Sequence, residues 1–483
     1  MRLRQPGSLQ ETGVNILSVV TGDSFGRSRS DACPGALQVH AAADGGLARI
    51  RIPGGRLTAS QLRDLAEAAT VCGSGVIELT SRANVQIRGL ATGPGPAGGP
   101  GGVDAFASRM AAAGLLPSPT HEKVRNILAS PLTGLDGDGL LDVTPLVAEL
   151  DRRLCARPAL AALSGRFMFA LDDGRGDVAG LGADACLLPA GPEEAAVILA
   201  GTDSGLRVPA VSMVPALLAA AEAFLAESSA QGTGAWRIGE LADGPARVAA
   251  RAGAMLASAA PAVGVGQTRA TTAPADPAAP APVPSRAALT SSDRVRLRPV
   301  TLGPVGVIER SRTTTGPEVA LGVAIPLGRL TSAQAELLAR LASSGSGEVR
   351  LTPWRGVVLP GLARAEVSRA IGLLADAGLV TDPASPWIGV TACTGRPGCA
   401  RSLADVQADA ARAVAPRVAD SPRTGTLPVH WAGCERRCGR PRGRVADVVA
   451  TGDGYRVDLD GRGVTCAGIE ETTAALTAVR GGT

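Results

Sequence analysis

Four cysteines near the C-terminal end carry the strongest chemical signal in the sequence. They are Cys393 and Cys399, with five residues between them, and Cys434 and Cys438, with three residues between them. Two pairs of thiolates supplied by two loops can bind a cubane iron–sulfur cluster, and the glycines and proline in these loops permit tight turns. Structural zinc is one alternative, although its ligand pairs are usually about two to four residues apart. Disulfides, which need an oxidising compartment, and unligated thiols are the others.

The bulk composition favours a large protein with an arginine-rich surface. The chain has 483 residues, enough for two to four domains, and its 2% aromatic content means that the cores consist of Ala, Val and Leu. Only one of the 48 basic residues is a lysine, Lys123, and the rest are arginine. Arginine binds carboxylates through two parallel hydrogen bonds and keeps its charge when it is partly buried.

The composition also argues against two classes of partner. The basic run at 435–444 could contact nucleic acid, but aromatic residues that would stack on bases are nearly absent. The apolar stretch at 208–226 is interrupted by Pro215 and Glu222 and is therefore expected to be a buried helix. The N-terminus has no apolar signal core. We expect a cytoplasmic protein with neither a nucleic acid nor a membrane as partner.

An internal duplication supplies the framework. Residues 51–66 and 324–339 are identical at nine of sixteen positions, including Ile-Pro and Gly-Arg-Leu-Thr. Each copy reads as a strand, a Pro/Gly turn, a helix capped by Thr58 or Thr331, two strands and a second helix. This β-α-β-β-α order is of the ferredoxin-like type. Two copies suggest a pseudo-twofold arrangement around a shared groove.

The predicted fold class is α+β, with an internal duplication of a ferredoxin-like half-domain followed by a larger α/β segment. The predicted organisation is an N-terminal extension at 1–34, half-domain 1 at 35–118, an α/β domain without cluster cysteines at 119–256, an Ala/Pro-rich linker at 257–294, half-domain 2 at 295–385, and a cysteine-bearing α/β domain at 386–483.

Arginines set the first copy apart from the second. Arg51 opens its turn where the second copy has Ala324, and Arg82 stands where the second copy has Trp354 followed by Arg355. Further polar candidates are Asn84, Gln86 and Arg88 at alternate positions of one strand face, then Arg125 and Arg166, and Arg396 between two cysteines. A polar strand face is often merely solvated. Together, these cations suit a polyanionic ligand.

These motifs resemble the sulfite/nitrite reductase superfamily, and within it the precorrin-3B synthase family. The resemblance runs from about Gly35 onward through ACPGAL, DGGLARIRIPGG, GVIELTSRANVQIRGL, LTPWRGVVLPGL, ACTGRPGC and GCERRCGRP. It implies two ferredoxin-like half-domains and two reductase-type α/β domains. It also implies that Cys393, Cys399, Cys434 and Cys438 bind a [4Fe-4S] cluster.

The resemblance assigns roles to further residues. Arg51, Arg125 and Arg166 match three of the four basic residues that surround the oxyanion in the reductases, but Met168 stands in place of the fourth, a lysine. Glu435, Arg436 and Arg437 replace the usual Pro-Asn between the last two cysteines. Both departures count against reduction of sulfite or nitrite. The substrate-binding candidates are Arg82, Asn84, Gln86, Arg88, Arg355 and Arg396.

In the precorrin-3B synthase family the tetrapyrrole is the substrate, precorrin-3A, and O2 supplies one oxygen atom. The resemblance implies a mononuclear non-haem iron, for which His121 with Glu122 and His430 are the ligand candidates, and electrons from an external reductase or ferredoxin. A sirohaem-dependent sulfite or nitrite reductase is the alternative, and only that alternative calls for sirohaem. A non-catalytic tetrapyrrole-binding protein is the third hypothesis.

Overall fold

A computed structural model describes residues 31, 33–93, 102–259, 297, 302–310, 316–414 and 427–481. The predicted N-terminal extension and linker lie almost wholly outside these residues. The described residues form four five-stranded sheets with helices packed against them. The α+β prediction is confirmed.

The first half-domain has the predicted order with two additional short strands. Thr58 starts its first helix with a capping box, in which its Oγ1 accepts from the Gln61 N–H at 3.1 Å while the Gln61 side chain accepts from the Thr58 N–H at 3.0 Å. The elements are β1 (His40–Ala42), β2 (Gly45–Ile50), β3 (Arg56–Thr58), α1 (Ala59–Cys72), β4 (Val76–Leu79), β5 (Val85–Leu90) and α2 (Gly102–Ala112).

The first α/β domain follows. Its five-stranded sheet contains three neighbouring parallel strands, followed by two antiparallel strands. The apolar stretch flagged in the sequence forms a 22-residue helical segment, Ala210–Gln231, most of which is buried in this domain's core. The elements are β6 (Ile127–Ala129), α3 (Thr144–Cys155), β7 (Phe169–Leu171), β8 (Ala185–Pro189), β9 (Glu194–Leu199), β10 (Thr202–Pro209), α4 (Met213–Gln231) and α5 (Gly244–Ala259).

The second half repeats both units. Thr331 and Gln334 form the same capping box as Thr58 and Gln61. The half-domain contains β11 (Gly306–Glu309), β12 (Glu318–Ala324), β13 (Arg329–Thr331), α6 (Ser332–Ser343), β14 (Glu348–Leu351), β15 (Gly356–Ala363) and α7 (Val367–Asp376). The cysteine-bearing α/β domain contains β16 (Val390–Ala392), α8 (Val406–Val414), β17 (Val429–Ala432), β18 (Ala446–Ala450), β19 (Tyr455–Leu459), β20 (Arg462–Cys466) and α9 (Ile469–Gly481).

The two half-domains exchange one strand each. β13 of the second copy pairs with β4 of the first, and β3 of the first pairs with β14 of the second. The exchanged strands both read Arg-Leu-Thr, the most strongly repeated part of the sequence. One apolar core spans both copies, whereas each α/β domain has its own. The exchange fixes the pseudo-twofold arrangement and therefore the groove that the copies share.

Candidate functional site

The four cysteines lie at one edge of one sheet. β16 and β17 are adjacent and parallel, with Ala392 opposite Trp431, so the loops that follow them leave the sheet side by side. Cys393 directly follows β16, and Cys434 comes two residues after β17. The loops are tied together by the Cys393 N–H, which donates to the Trp431 carbonyl at 2.9 Å. The parallel pair therefore brings two distant cysteine pairs to one place.

Two backbone N–H groups lie at the sulfur of Cys393. Burial raises the pKa of Cys393, the N–H groups of Gly433 and Gly395 oppose that shift, and the nearby Cys438 and Cys399 add to it, so the pKa is raised on balance. The Gly433 N–H donates to Cys393 Sγ at 3.2 Å. Such backbone donors and a bound cationic centre both favour the thiolate.

The cysteines do not form a preassembled zinc site. Tetrahedral zinc, with Zn–S bonds of about 2.3 Å, places its sulfurs about 3.8 Å apart. Within the described residues, no three cysteine sulfurs lie within 4.8 Å of one another. A cubane uses four thiolates, because each cysteine binds a different iron. The four cysteines fit a [4Fe-4S] cluster.

A cavity of about 440 Å³, called the cysteine groove here, adjoins these loops. The first half-domain forms one wall, and the cysteine-bearing domain contributes Cys393 and Cys438. Four candidate arginines from the sequence line it, namely Arg82, Arg88, Arg166 and Arg355. Arg88 is paired with Asp44, whereas Arg82, Arg166 and Arg355 have no carboxylate partner among the described residues.

Arg82, Arg166 and Arg355 are each held by a contact that leaves the positive charge of the guanidinium unpaired. Arg82 Nη1 donates to the Gly165 carbonyl at 3.3 Å, and Arg355 Nη2 donates to the Gly439 carbonyl at 2.8 Å, next to Cys438. Arg166 lies over the ring of Trp236, 5.3 Å from its centre. Burial lowers the pKa of Arg82 and of Arg355 to about 10, and in Arg82 the charges of other arginines add to the effect. An anionic ligand would offset this cost.

The strand residues Asn84, Gln86 and Arg88 also line the cysteine groove, but their polar atoms serve the fold. Asn84 accepts from the Ile52 N–H at 2.8 Å and donates to Asn126. Gln86 bridges Arg49 and Glu78. These two side chains position the groove wall.

Two further arginine candidates connect parts of the fold. Arg88 forms a bidentate ion pair with Asp44, at 2.8 Å for both contacts, and donates to the Gly398 carbonyl in the first cysteine loop. Arg396 donates to the Ser402 carbonyl at 2.7 Å and so closes that same loop. Arg88 therefore connects the first half-domain to the cysteines, and Arg396 shapes the loop.

The three cations matched to the reductases do not converge. Arg166 lines the cysteine groove, whereas Arg51 and Arg125 line a separate cavity of about 280 Å³. Arg125 forms a bidentate ion pair with Asp151, at 2.7 Å for both contacts. Arg51 is 2% exposed, donates from Nε to the Lys123 carbonyl, and has no partner for either Nη among the described residues. Burial, followed by the charges of Arg49 and Arg82, lowers the pKa of Arg51 to about 9.

Met168 and the histidines offer little acid–base chemistry. Met168 is 4% exposed and lies in the central core. His121 uses both ring nitrogens, since Nδ1 bonds to hydroxyl groups and Nε2 to the Arg157 carbonyl, and Glu122 accepts backbone N–H groups from Ala36 and Leu37.

His430 is fully buried. Its Nδ1 bonds to the Thr391 hydroxyl, and burial, then the charge of Arg355, lowers its pKa to about 3. The described residues contain no group of two histidines and a carboxylate with ligand atoms within 4.8 Å of one another. The mononuclear iron implied by the resemblance does not fit them.

Several groove residues were not predicted from the sequence. Arg49, Arg329 and Cys33 all line the cysteine groove. Arg49 lies two residues before Arg51, so strand alternation could have identified it. Arg329 could not have been identified without the strand exchange, because that exchange carries β13 into the sheet of the first half-domain.

Comparisons with known proteins agree with this architecture. The family model for the nitrite/sulfite reductase ferredoxin-like half domain matches residues 40–93 and 312–377, one segment in each copy. The chain is 27% identical to a precorrin-3B synthase from Sinorhizobium sp over 92% of this chain and 86% of that protein. It is 28% identical to the ferredoxin–nitrite reductase of Synechococcus elongatus over 85% of this chain and 77% of that enzyme.

A solved structure shares the fold. The NirA protein of Mycobacterium tuberculosis superimposes with a TM-score of 0.62 at 21% sequence identity, covering 90% of this chain and 80% of that one. The relatives are oxidoreductases, and nitrite reductases of this type imply an iron–sulfur cluster within the family. Residues 40–93 and 312–377 are therefore nitrite/sulfite reductase ferredoxin-like half domains, and the whole chain is similar to nitrite reductases and to a precorrin-3B synthase.

Proposed function

We propose that this chain is a precorrin-3B synthase, an O2-dependent monooxygenase of cobalamin biosynthesis that works in the cytoplasm. One oxygen atom of O2 enters precorrin-3A at the meso carbon between rings A and D, and the ring A acetate closes a γ-lactone. The other oxygen atom leaves as water after two electrons and two protons are taken up. Support comes from the Sinorhizobium relative, which is similar over 92% of this chain.

The observation that carries the proposal is the set of unpaired arginines beside Cys438. Precorrin-3A carries acetate and propionate groups around its ring, and Arg82, Arg166 and Arg355 of the cysteine groove can each bind a carboxylate. A [4Fe-4S] cluster bound by the four cysteines supplies single electrons at this position. The described residues form no mononuclear iron site, and none is part of the proposal.

Position 168 favours a monooxygenase over a reductase of nitrite or sulfite. A lysine there could donate protons and stabilise an oxyanion, whereas the buried Met168 thioether can do neither. Binding a polycarboxylate requires only that the arginines remain charged, and the pKa values of about 10 for Arg82 and Arg355 keep these two charged at neutral pH. Electrons then come from a separate reductase or from ferredoxin. Stoichiometric NADH oxidation by the purified protein alone would disprove that source.

The test is conversion of precorrin-3A by the protein with its reconstituted cluster, under isotopically labelled O2 and with a reduced ferredoxin. We expect a product heavier by one labelled oxygen atom. Arg166→Ala should raise KM about tenfold, because one charge-assisted contact is lost. The exposed Arg462→Ala, far from the groove lining, should match the parent. Absence of labelled product from a protein with intact iron and sulfide would refute the proposal.

Arg51 favours a second candidate, a sirohaem-dependent nitrite or sulfite reductase. Its two free Nη groups are buried without a partner among the described residues, as an oxyanion site would require. The chain is also 28% identical to a ferredoxin–nitrite reductase. Strong sirohaem absorption bands in the purified protein, together with consumption of nitrite or sulfite by reduced ferredoxin, would favour this candidate. A broad brown shoulder from the cluster alone would favour the first.

A further inference from the structure

A third cavity, called the tryptophan cavity here, lies outside the site described above. Its volume is about 250 Å³, and it lies between the second half-domain and both α/β domains. Trp354 and Trp387 contribute aromatic surface, and Met168, Leu181 and Ile325 contribute aliphatic surface. Such a lining favours a flat apolar molecule.

The tryptophan cavity is the counterpart of the cysteine groove under the internal duplication. The turn that carries Arg82 in the first copy lines the cysteine groove, and the corresponding turn of the second copy, which carries Trp354, lines the tryptophan cavity. Arg82 and Arg355 line both cavities and separate them. The duplication has therefore produced a second surface on which a tryptophan takes the place of an arginine.

The cavity still contains polar groups that lack partners. Trp354 Nε1 is buried and has no hydrogen-bond partner among the described residues. Arg442 has neither a hydrogen bond nor an ion pair among those residues, and its guanidinium lies against Gly182, where a built Cβ would come within 2.1 Å of Nη1. A buried donor without a partner costs free energy that a bound acceptor would recover. An anionic group beside Arg442 and Arg355 would also neutralise two cations.

We propose that the tryptophan cavity binds a second ligand, a flat aromatic molecule with one or more carboxylates. Its ring system lies between Trp354 and Trp387, and its carboxylate accepts hydrogen bonds from Arg442. This site is distinct from the cysteine groove, and the proposal holds whichever reaction the groove performs.

The probe is pyrene-1-carboxylate, which accepts excitation energy from tryptophan. Titration of the full-length, cluster-loaded protein should quench tryptophan emission with a saturable, one-site curve. Arg442→Ala should weaken binding about tenfold, since one charge-assisted contact is lost. Arg444→Ala is the matched control, because Arg444 pairs with Asp460 at 2.9 Å and does not line the cavity. The neutral 1-pyrenemethanol should bind at least about tenfold more weakly than the carboxylate.

Three outcomes would overturn the proposal. The first is absence of saturable quenching. The second is loss of binding in Arg166→Ala together with unchanged binding in Arg442→Ala, which would place the probe in the cysteine groove. The third is equal affinity for the acid and the neutral alcohol.

A further variant, Trp354→Phe, keeps the aromatic wall and removes the Nε1 donor, so its Kd should rise by a few fold. An unchanged Kd for this variant would contradict the role of that donor.

Discussion

The two α/β domains carry different side chains at the same place in their sheets. In each, two parallel strands end at one sheet edge, β16 and β17 in the second domain and β6 and β7 in the first. The loops in the second domain carry four cysteines. The loops in the first carry Asp136, Asp172, Asp173 and Asp177. Both edges therefore collect groups that would repel one another when ionised.

At the sheet edge of the first α/β domain, an arginine lies between the aspartates. Arg175 binds Asp136 in the loop after β6, at 2.8 and 2.9 Å, and Asp173 in the loop after β7, at 2.8 Å. Asp172 accepts four backbone N–H groups of its own loop. At the first edge, therefore, a guanidinium links the two loops and balances the charge of their carboxylates, and at the second edge the four cysteines occupy the corresponding loops.

The strongest test removes one cysteine in the second domain. Cys434→Ser should abolish bound iron and sulfide and the visible absorption, because a cubane needs a thiolate on each of its four irons. Cys155→Ser in the first domain is the control, since Cys155 lies outside both cysteine loops. Iron and sulfide analysis of the two variants tests whether Cys434 is a cluster ligand. Unchanged contents in Cys434→Ser would mean that the ligand set is wrong.

The corresponding test in the first domain is Arg175→Met. It leaves Asp173, which is fully buried, and Asp136 without their cation, so the free energy of unfolding should fall by about 3–5 kcal/mol. Urea unfolding measures the loss, while iron and sulfide in the second domain should not change. The triple variant Asp136→Asn, Asp173→Asn and Arg175→Gln should recover part of the stability, because it removes the charges together. Full stability in Arg175→Met would show that the guanidinium is not the link.

Some of these features could be predicted from the sequence and others could not. The cysteine pairs and the repeated Gly-Arg-Leu-Thr segment are local patterns, so the duplication and the thiolate edge were predictable. The partners of the arginines were not, because Arg125 binds Asp151 on α3 and Arg88 binds Asp44 on another loop. The sequence does not distinguish an arginine in such an ion pair from one without a carboxylate partner among the described residues, such as Arg82, Arg166 or Arg355 in the cysteine groove. The strand exchange could not be predicted either, because the sequence of β3 does not specify the strand with which it pairs.

A further difference between the edges is a carboxyl group that keeps its proton. Burial, followed by the charge of Asp172, raises the pKa of Asp177 from 3.8 to about 7. Between pH 4 and 7 the folded protein holds this proton and the unfolded chain does not, so this group makes stability fall as pH rises, by at most about 1.4 kcal/mol per pH unit. Asp177→Asn should remove that slope from urea-unfolding data, whereas the exposed Asp460→Asn should retain it. Parallel pH profiles for Asp177→Asn and the parent would refute the raised pKa.

The smallest expected effect concerns the exchanged strands, where identical sequences have different partners. On β3, Arg56 donates to both carboxylate oxygens of Glu348, at 2.6 and 2.8 Å, and so fastens the first copy to the second. On β13, the exposed Arg329 lies opposite Glu78 but donates to the Gln407 side chain. Arg56→Ala should therefore lower the free energy of unfolding by about 1 kcal/mol, and Arg329→Ala by roughly half of that or less.

Urea unfolding of both variants at low and high salt separates the two contributions. High salt should shrink the Arg56 effect, because the partly exposed ion pair is screened, and should leave the Arg329 effect unchanged. Equal losses at both positions would mean that the exchanged strands are held by their backbone pairing alone. In that case the charged contacts would contribute nothing to the specificity of the exchange.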